Sequence, residues 1–265
     1  MNLEVVSKSP AARSPYPPLL LIHGAWHAAW CWEGTFLDYF AAHGWEVHAM
    51  SLRGHGASEG KDRIRWWSIA DYVADVDRVV RSLDRPPILV GHSMGGFVTQ
   101  KYLETHGAAA AVLLASAPPS GISRYFFRIL RRHPLVWLRA NLSLSTYPVV
   151  QNPAHVREWF LSPGISADDL AEYQAKLQDE SFRASLDMLV LDLPKPRSVT
   201  VPIAVLGAGN DAVFPVAEVE ATARAYGTEA KIFPGMAHGI MFEPGWQEVA
   251  QWISAWGASV SSRGV

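Results

Sequence analysis

The run Ile88-Leu89-Val90-Gly91-His92-Ser93-Met94-Gly95-Gly96-Phe97 decides how this chain is read. Pro87 to Val90 is apolar and suits a buried strand, and Met94 to His106 carries helical spacing. Between them, Gly91-His92-Ser93-Met94-Gly95 is a G-x-S-x-G. A sharp strand-to-helix turn lifts the Ser93 hydroxyl clear of the backbone, and the flanking glycines leave room for neighbouring chains. The helix N-terminus that follows offers free N–H groups and partial positive charge to a developing oxyanion. Such a pattern also arises by chance in glycine-rich turns. Its strand–turn–helix setting is what gives it weight.

Outward from this turn, short apolar runs alternate with helical patterns. Pro18 to Ile22, Trp45 to Met50, Ala110 to Ala115, Val201 to Leu206 and Ala230 to Phe233 read as further strands. They are nearly continuous in apolar residues, as a sheet covered on both faces requires. Ser68 stands as N-cap to apolar positions at Ile69, Tyr72, Val73, Val76, Val79, Val80 and Leu83. Trp246, Val249, Trp252, Ile253 and Trp256 repeat that spacing, and Glu33 to His43 is a further helix. The alternation predicts an α/β fold with a doubly wound, mostly parallel sheet. It breaks from Gly121 to Arg197, where helical patterns fall at Ile122–Arg132, Pro153–Leu161, Ala167–Gln178 and Glu180–Leu191. Residues 121–197 are therefore expected to form a helical cap over the sheet edge where α/β folds bind ligands. Residues 1–120 and 198–265 would form the core, and the small, polar tail from Gly257 to Val265 would fray.

Composition narrows the function. The chain has 265 residues, 49% of them apolar and 18% charged, with a net charge of −2. That suits one compact domain with an insertion and lacks the basic footprint of a nucleic-acid binder. Cys31 is the single cysteine, so neither an intrachain disulfide nor a cysteine-rich zinc site is expected. No H-E-x-x-H and no G-x-G-x-x-G after a strand is found, so neither a metal nor a nucleotide cofactor is expected. No apolar run approaches the ~18 residues of a membrane span. The expectation is a cytoplasmic protein, monomer or homodimer, acting on a small molecule without stable membrane insertion. The 11 tryptophans are an excess, most of them expected to pack with their indole N–H groups satisfied.

Five motifs fall in a telling order: His23-Gly24, Arg53-Gly54-His55-Gly56, the Ser93 turn, Gly207-Ala208-Gly209-Asn210-Asp211 and Gly235-Met236-Ala237-His238-Gly239. Together they resemble the α/β-hydrolase fold family. The resemblance implies an acyl-transfer triad: Ser93 as nucleophile, His238 as general base, and Asp211 to orient the imidazole. Asp187 and Asp192 are weaker rivals for the acid because both lie in a helical pattern. His92 is read as packing, His23 as shaping the loop after its strand, and His55 as part of a tight turn. The oxyanion donors would be the backbone N–H groups of Met94 and, by resemblance, Ala25.

A serine at this turn argues against the relatives that use aspartate, the haloalkane dehalogenases and epoxide hydrolases. Carboxylic esters are the expected substrates. The stretch from His23 to Trp32, HGAWHAAWCW, is similar to plant methylesterases and hydroxynitrile lyases. It departs from the lyases at Gly239, where they carry lysine. A lyase, C–C hydrolase, perhydrolase or acyltransferase of the same fold, or a non-hydrolytic receptor, remains the alternative. Trp26 is expected to line the acyl pocket, and Trp137, Trp159 and Met188, with Phe126 and Phe127, to roof it. The cap begins with Arg124, Arg128, Arg131, Arg132 and Arg139 among aromatic and apolar residues, with no acid from 121 to 140. A solvated face explains that pattern; contact with an anionic lipid surface is the sharper alternative.

Overall fold

The computed structural model describes residues 1–262. Its strands are β1 (Val5–Lys8), β2 (Leu19–Ile22), β3 (Val47–Met50), β4 (Ile88–His92), β5 (Ala110–Leu114), β6 (Ile203–Ala208) and β7 (Ala230–Phe233). They form one seven-stranded sheet in the order β1-β3-β2-β4-β5-β6-β7. All pairs are parallel except β1 with β3. The expected α/β fold with a doubly wound, mostly parallel sheet is what the chain forms. β1 is the strand that the sequence hides. VVSK is short and half exposed at the sheet edge, so it lacks the apolar run of a buried strand.

The helices are α1 (Phe36–Ala42), α2 (Ile69–Val80), α3 (Met94–Tyr102), α4 (Ser123–Arg132), α5 (Pro134–Ser143), α6 (Pro153–Phe160), α7 (Ala167–Lys176), α8 (Phe182–Leu186), α9 (Val216–Ala225) and α10 (Trp246–Ser261). Alternate residues of β2 serve opposite faces. Leu20 and Ile22 pack with α2 and α3, whereas Leu19 and Leu21 pack with α1 and α10. The Ser68 cap forms as expected: its side chain accepts from Asp71 N–H, and Asp71 returns the bond to Ser68 N–H. Two helices, α5 and α9, had no counterpart in the sequence pattern. α5 starts on Pro134 directly after α4, so its boundary is hidden inside one long helical stretch. At the C-terminus, where a frayed tail was expected, Gly257 to Ser261 continue α10. A Cβ at Gly257 would lie 2.9 Å from the Trp45 ring, so the bare glycine lets the helix pack closely there. Residues 263–265 of the same tail lie outside the described residues.

β2 and β4 are neighbours, yet β2 is followed by β3 on one side and β4 by β5 on the other. The loops leaving β2 and β4 therefore diverge, opening a crevice at the carboxyl ends of the strands. His23-Gly24-Ala25 leaves β2 at this point and Ser93 leaves β4.

The segment between β5 and β6 is tied to the loop after β3 and to α2 by buried polar contacts. Glu180 is 1% exposed; it binds His55 Nε2 at 3.0 Å and accepts from Tyr72 O–H at 2.7 Å and Ser181 N–H at 2.6 Å. Burial pushes the His55 imidazole down, but the Glu180 charge and hydrogen bonds outweigh it and leave its pKa raised. Burial likewise pushes Glu180 up, and His55, Tyr72 and Ser181 outweigh it and leave its pKa lowered. The His55 contribution is full below its ordinary value of 6.5 and fades as pH rises through its raised value. The Glu180 contribution is full above its ordinary value of 4.5 and fades as pH falls through its lowered value. Glu180→Gln should therefore cost roughly 3 kcal/mol of stability, because it leaves a buried imidazole without its counter-charge. Urea midpoints across pH should show the largest gap to wild type between about pH 4.5 and 6.5, narrowing on both sides.

Candidate active site

Ser93 sits between β4 and α3 with φ +52°, a left-handed backbone that a non-glycine residue adopts only when its surroundings enforce it. The surroundings are close. Ser93 N–H donates to Leu114 O at 3.0 Å, and Ala117 N–H donates to Ser93 O at 3.1 Å. A Cβ at Gly95 would overlap the carbonyl oxygens of Ile22 and His23, and one at Gly96 would overlap the Ser116 side chain. These glycines let the start of α3 pass directly over the end of β2 and the loop after β5. Gly95→Ala should cost about 3 kcal/mol or more, because the obstacle is strand backbone that cannot rotate away. Thermal unfolding would read the loss.

The structure brings the three residues singled out in the sequence together. His238 Nε2 lies 3.0 Å from Ser93 Oγ, and His238 Nδ1 lies 2.8 Å from Asp211 Oδ2. His238 and Asp211 are buried and Ser93 is 9% exposed, at the floor of a cavity. Asp211 has its other oxygen engaged as well: Oδ1 accepts from Val213 N–H at 2.7 Å and Phe214 N–H at 2.8 Å. With both oxygens accepting, the Asp211 carboxylate selects the tautomer with a proton on His238 Nδ1. His238 Nε2 then faces the serine hydroxyl as an acceptor. The rivals for the acid are occupied elsewhere. Asp187 accepts from Ile69 N–H at 3.0 Å and Arg183 at 2.9 Å, and Asp192 pairs with Lys101 at 2.8 Å.

Ala25 and Met94 both line the cavity beside Ser93, and neither N–H has an acceptor among the described residues. Gly24 is bare where it meets the serine; a Cβ there would lie 3.0 Å from Ser93 Cβ. The loop that carries Ala25 is held from several sides. His23 donates from Nδ1 to Gly24 O at 2.8 Å and accepts Leu52 N–H at Nε2, 3.0 Å away. His27 Nδ1 donates to Ala25 O at 2.7 Å, and its Nε2 accepts from Tyr173 O–H at 2.7 Å. Burial brings the His27 pKa down to about 4, so the neutral form that this pattern needs is the one present near neutral pH. Trp26 has φ +66°. Its carbonyl accepts from Gln178 N–H at 3.1 Å, and its indole N–H donates to Thr146 Oγ1 at 2.9 Å.

His92, read from sequence as packing, is buried, and its Nε2 donates to His238 O at 3.0 Å. It therefore also holds the backbone of the His238 loop. Burial first, then the neighbouring His238 and His27, drive its pKa well below the ordinary value.

The cavity, of about 100 Å³, is almost wholly apolar. Trp26, Trp137, Met188 and Phe126 line it, as the sequence suggests. Trp159 and Phe127 do not. Trp159 is 1% exposed and packs edge-on to Tyr125 at 5.5 Å beneath the Arg132 guanidinium, while Phe127 is 60% exposed on the outer side of α4. The structure adds Tyr125, Phe160 and Phe214 to the lining, with Phe214 edge-on to His238 at 5.5 Å. Phe214 was findable, three residues after Asp211. Tyr125 and Phe160 were not, because helical spacing does not say which stripe meets the crevice. The indole N–H groups of Trp26, Trp45 and Trp67 donate to Thr146, Ser254 and Gly60 O, while those of Trp32 and Trp137 are buried without a partner among the described residues.

At position 239 a side chain would meet Phe160 O at 3.0 Å and Leu161 at 3.2 Å, and Gly239 N–H donates to Phe160 O at 2.7 Å. The departure from the lyase pattern is thus built into the packing. Cys31 is fully buried, and burial raises its thiol pKa well above the ordinary value, as befits a packed thiol. No group of His, Cys, Asp and Glu among the described residues could hold a metal ion, and no described helix is long and apolar enough to cross a membrane.

Comparison with known proteins finds relatives that cover most of the chain. A non-heme chloroperoxidase from Burkholderia pyrrocinia is 25% identical over 272 residues, covering 91% of this chain and 91% of that protein. A pFDCC methylesterase from Arabidopsis thaliana is 29% identical over 219 residues, covering 76% of this chain and 79% of that protein. The crystal structure of an esterase from Rhodococcus superposes with a TM-score of 0.72 at 21% identity, covering 97% of this chain and 95% of that one. The model of the alpha/beta hydrolase family matches residues 19–252. With the match spanning most of the chain, and with the sheet order and the turn at Ser93 in place, the chain belongs to the alpha/beta hydrolase family.

Proposed function

We propose that the chain is a serine hydrolase that cleaves carboxylic esters through an acyl-enzyme on Ser93. The observation that carries the reading is the unbroken hydrogen-bond chain from Ser93 Oγ through His238 to Asp211, at the floor of an apolar cavity. Ser93 Oγ attacks the ester carbonyl as His238 Nε2 takes its proton. Asp211 holds the Nδ1 proton in place and stabilises the imidazolium. The Ala25 and Met94 N–H groups receive the carbonyl oxygen as it becomes an oxyanion. The imidazolium returns its proton to the leaving alcohol. A water deprotonated by His238 then attacks the acyl carbon, and the imidazolium returns that proton to Ser93 Oγ as the acid is freed. Residues 121–197 act as a cap on a core of residues 1–120 and 198–265, and Trp26, Trp137 and Met188 contact the substrate. Three relations support the cap: α4 and α5 line the cavity, Gln178 holds Trp26, and Glu180 anchors to His55.

Covalent labelling by a fluorophosphonate, together with an ester panel of increasing chain length on wild type and Ser93→Ala, tests the proposal. Labelling and turnover that vanish in Ser93→Ala are expected; their absence in wild type would sink it. The chloroperoxidase relative motivates one further reading, in which hydrogen peroxide replaces water at the acyl-enzyme and yields a peroxy acid. Peroxy-acid formation outpacing ester hydrolysis in the same assay would favour it.

A further inference from the structure

The outer side of α4 and α5 gathers four of the exposed large apolar side chains of the described residues. Leu135, Leu138 and Leu142 recur at i, i+3 and i+7 on α5 and are 70%, 45% and 77% exposed. On α4, Arg124, Phe127 and Arg131 repeat the same spacing, with Phe127 60% exposed. Singly exposed leucines are ordinary, but four large apolar side chains exposed on two consecutive helices mark an interaction surface. Two of the nearby arginines are already engaged: Arg128 binds Glu218 and Val213 O, and Arg132 binds Glu158. Arg124, Arg131 and Arg139 are exposed and have no ion-pair partner among the described residues. The chain carries no Asp or Glu anywhere from Gly121 to Arg157.

We propose that α4 and α5 dock on an anionic lipid surface. An apolar stripe bordered by cations is the pattern of a helix lying in the interface plane, with its leucines at the acyl boundary and its arginines among the headgroups. Charge argues against a second copy as the occupant. A two-fold dimer would set this face against itself and bring the uncompensated arginines together. The inner sides of the same helices contribute Tyr125, Ile129 and Trp137 to the cavity above Ser93. Docking thus sets the cavity wall at the bilayer and favours a substrate that resides in lipid. The docking is independent of the ester-hydrolase proposal and is read without any turnover.

Sedimentation of the full chain with phosphatidylcholine vesicles, alone or mixed with phosphatidylglycerol, tests it. Wild type should pellet with the mixed vesicles at low salt, stay in solution with phosphatidylcholine alone, and be released as salt is raised. R124Q/R131Q/R139Q should weaken the apparent partition coefficient about a hundredfold. L135S/L142S should weaken it about tenfold. All five side chains are solvent-exposed and none lines the cavity, so both variants should keep the wild-type melting temperature. Three outcomes would overturn the proposal: no binding to phosphatidylglycerol vesicles, equal binding by correctly folded variants, or a wild-type dimer that L135S/L142S dissociates without any vesicle binding. Absence of ester turnover would count against the proposed reaction and leave this readout untouched.

Discussion

Replacing Ser93 by alanine is expected to lower kcat for ester hydrolysis about 10⁶-fold, with little change in KM. The substitution removes one oxygen. The bonds that hold the turn run through the backbone, from Ser93 N–H to Leu114 O and from Ala117 N–H to Ser93 O, and survive it. Loss of activity with an unchanged melting temperature is therefore the signature of a missing nucleophile. His238→Ala should cost nearly as much, and the double variant scarcely more than either single one, because nucleophile and base act as one unit. Residual turnover of about 10³-fold over water is expected from the oxyanion donors and binding alone. A loss smaller than tenfold in Ser93→Ala would remove the acyl-enzyme mechanism.

Asp211→Asn should lower kcat about 10⁴-fold while the fold stays intact. The reason lies in how Asp211 divides its two oxygens. Oδ1 takes the Val213 and Phe214 N–H groups, and Oδ2 takes His238 Nδ1. An amide has one oxygen. If it stays on the two backbone donors, its NH₂ faces His238 Nδ1 and forces the proton onto Nε2. The imidazole then points a donor at Ser93 Oγ and cannot accept the hydroxyl proton. If the amide flips, two buried N–H groups lose their acceptor at about 1–3 kcal/mol each. The first arrangement wins, and activity falls through the wrong tautomer. A pH–rate profile on both enzymes, with urea midpoints as control, would check this. A stable variant with near-wild-type kcat would remove Asp211 from the mechanism.

Legibility followed the scale of the physical cause. The strand runs and the turn at Ser93 could be read because burial on both faces demands continuous apolar residues, and a tight turn demands glycine. The edge strand β1 could not, since an exposed pair with β3 imposes no such pattern. α5 was hidden because Pro134 starts a second helix where the periodicity of α4 has barely stopped. Trp159 and Trp137 look alike in sequence, two tryptophans in neighbouring helical stretches. Only the packing of α6 under Arg132 and Tyr125 turns Trp159 away from the cavity that Trp137 lines.

The amino-acid order alone carried the family, six of the seven strands and the choice of Ser93, Asp211 and His238 as candidates, because each rests on local geometry or on motifs in series. Other features depend on contacts between residues far apart in the chain: the neutral His27 between Ala25 and Tyr173, the hold of Gln178 on Trp26, and the Glu180–His55 link. No periodicity records them, since each partner is an ordinary loop or helix residue until the fold buries it and leaves it one hydrogen-bonding option. The basic, aromatic start of residues 121–197 is the intermediate case. Its composition was plain in the sequence, but which of its arginines stay unpaired and which leucines face outward was decided by tertiary packing.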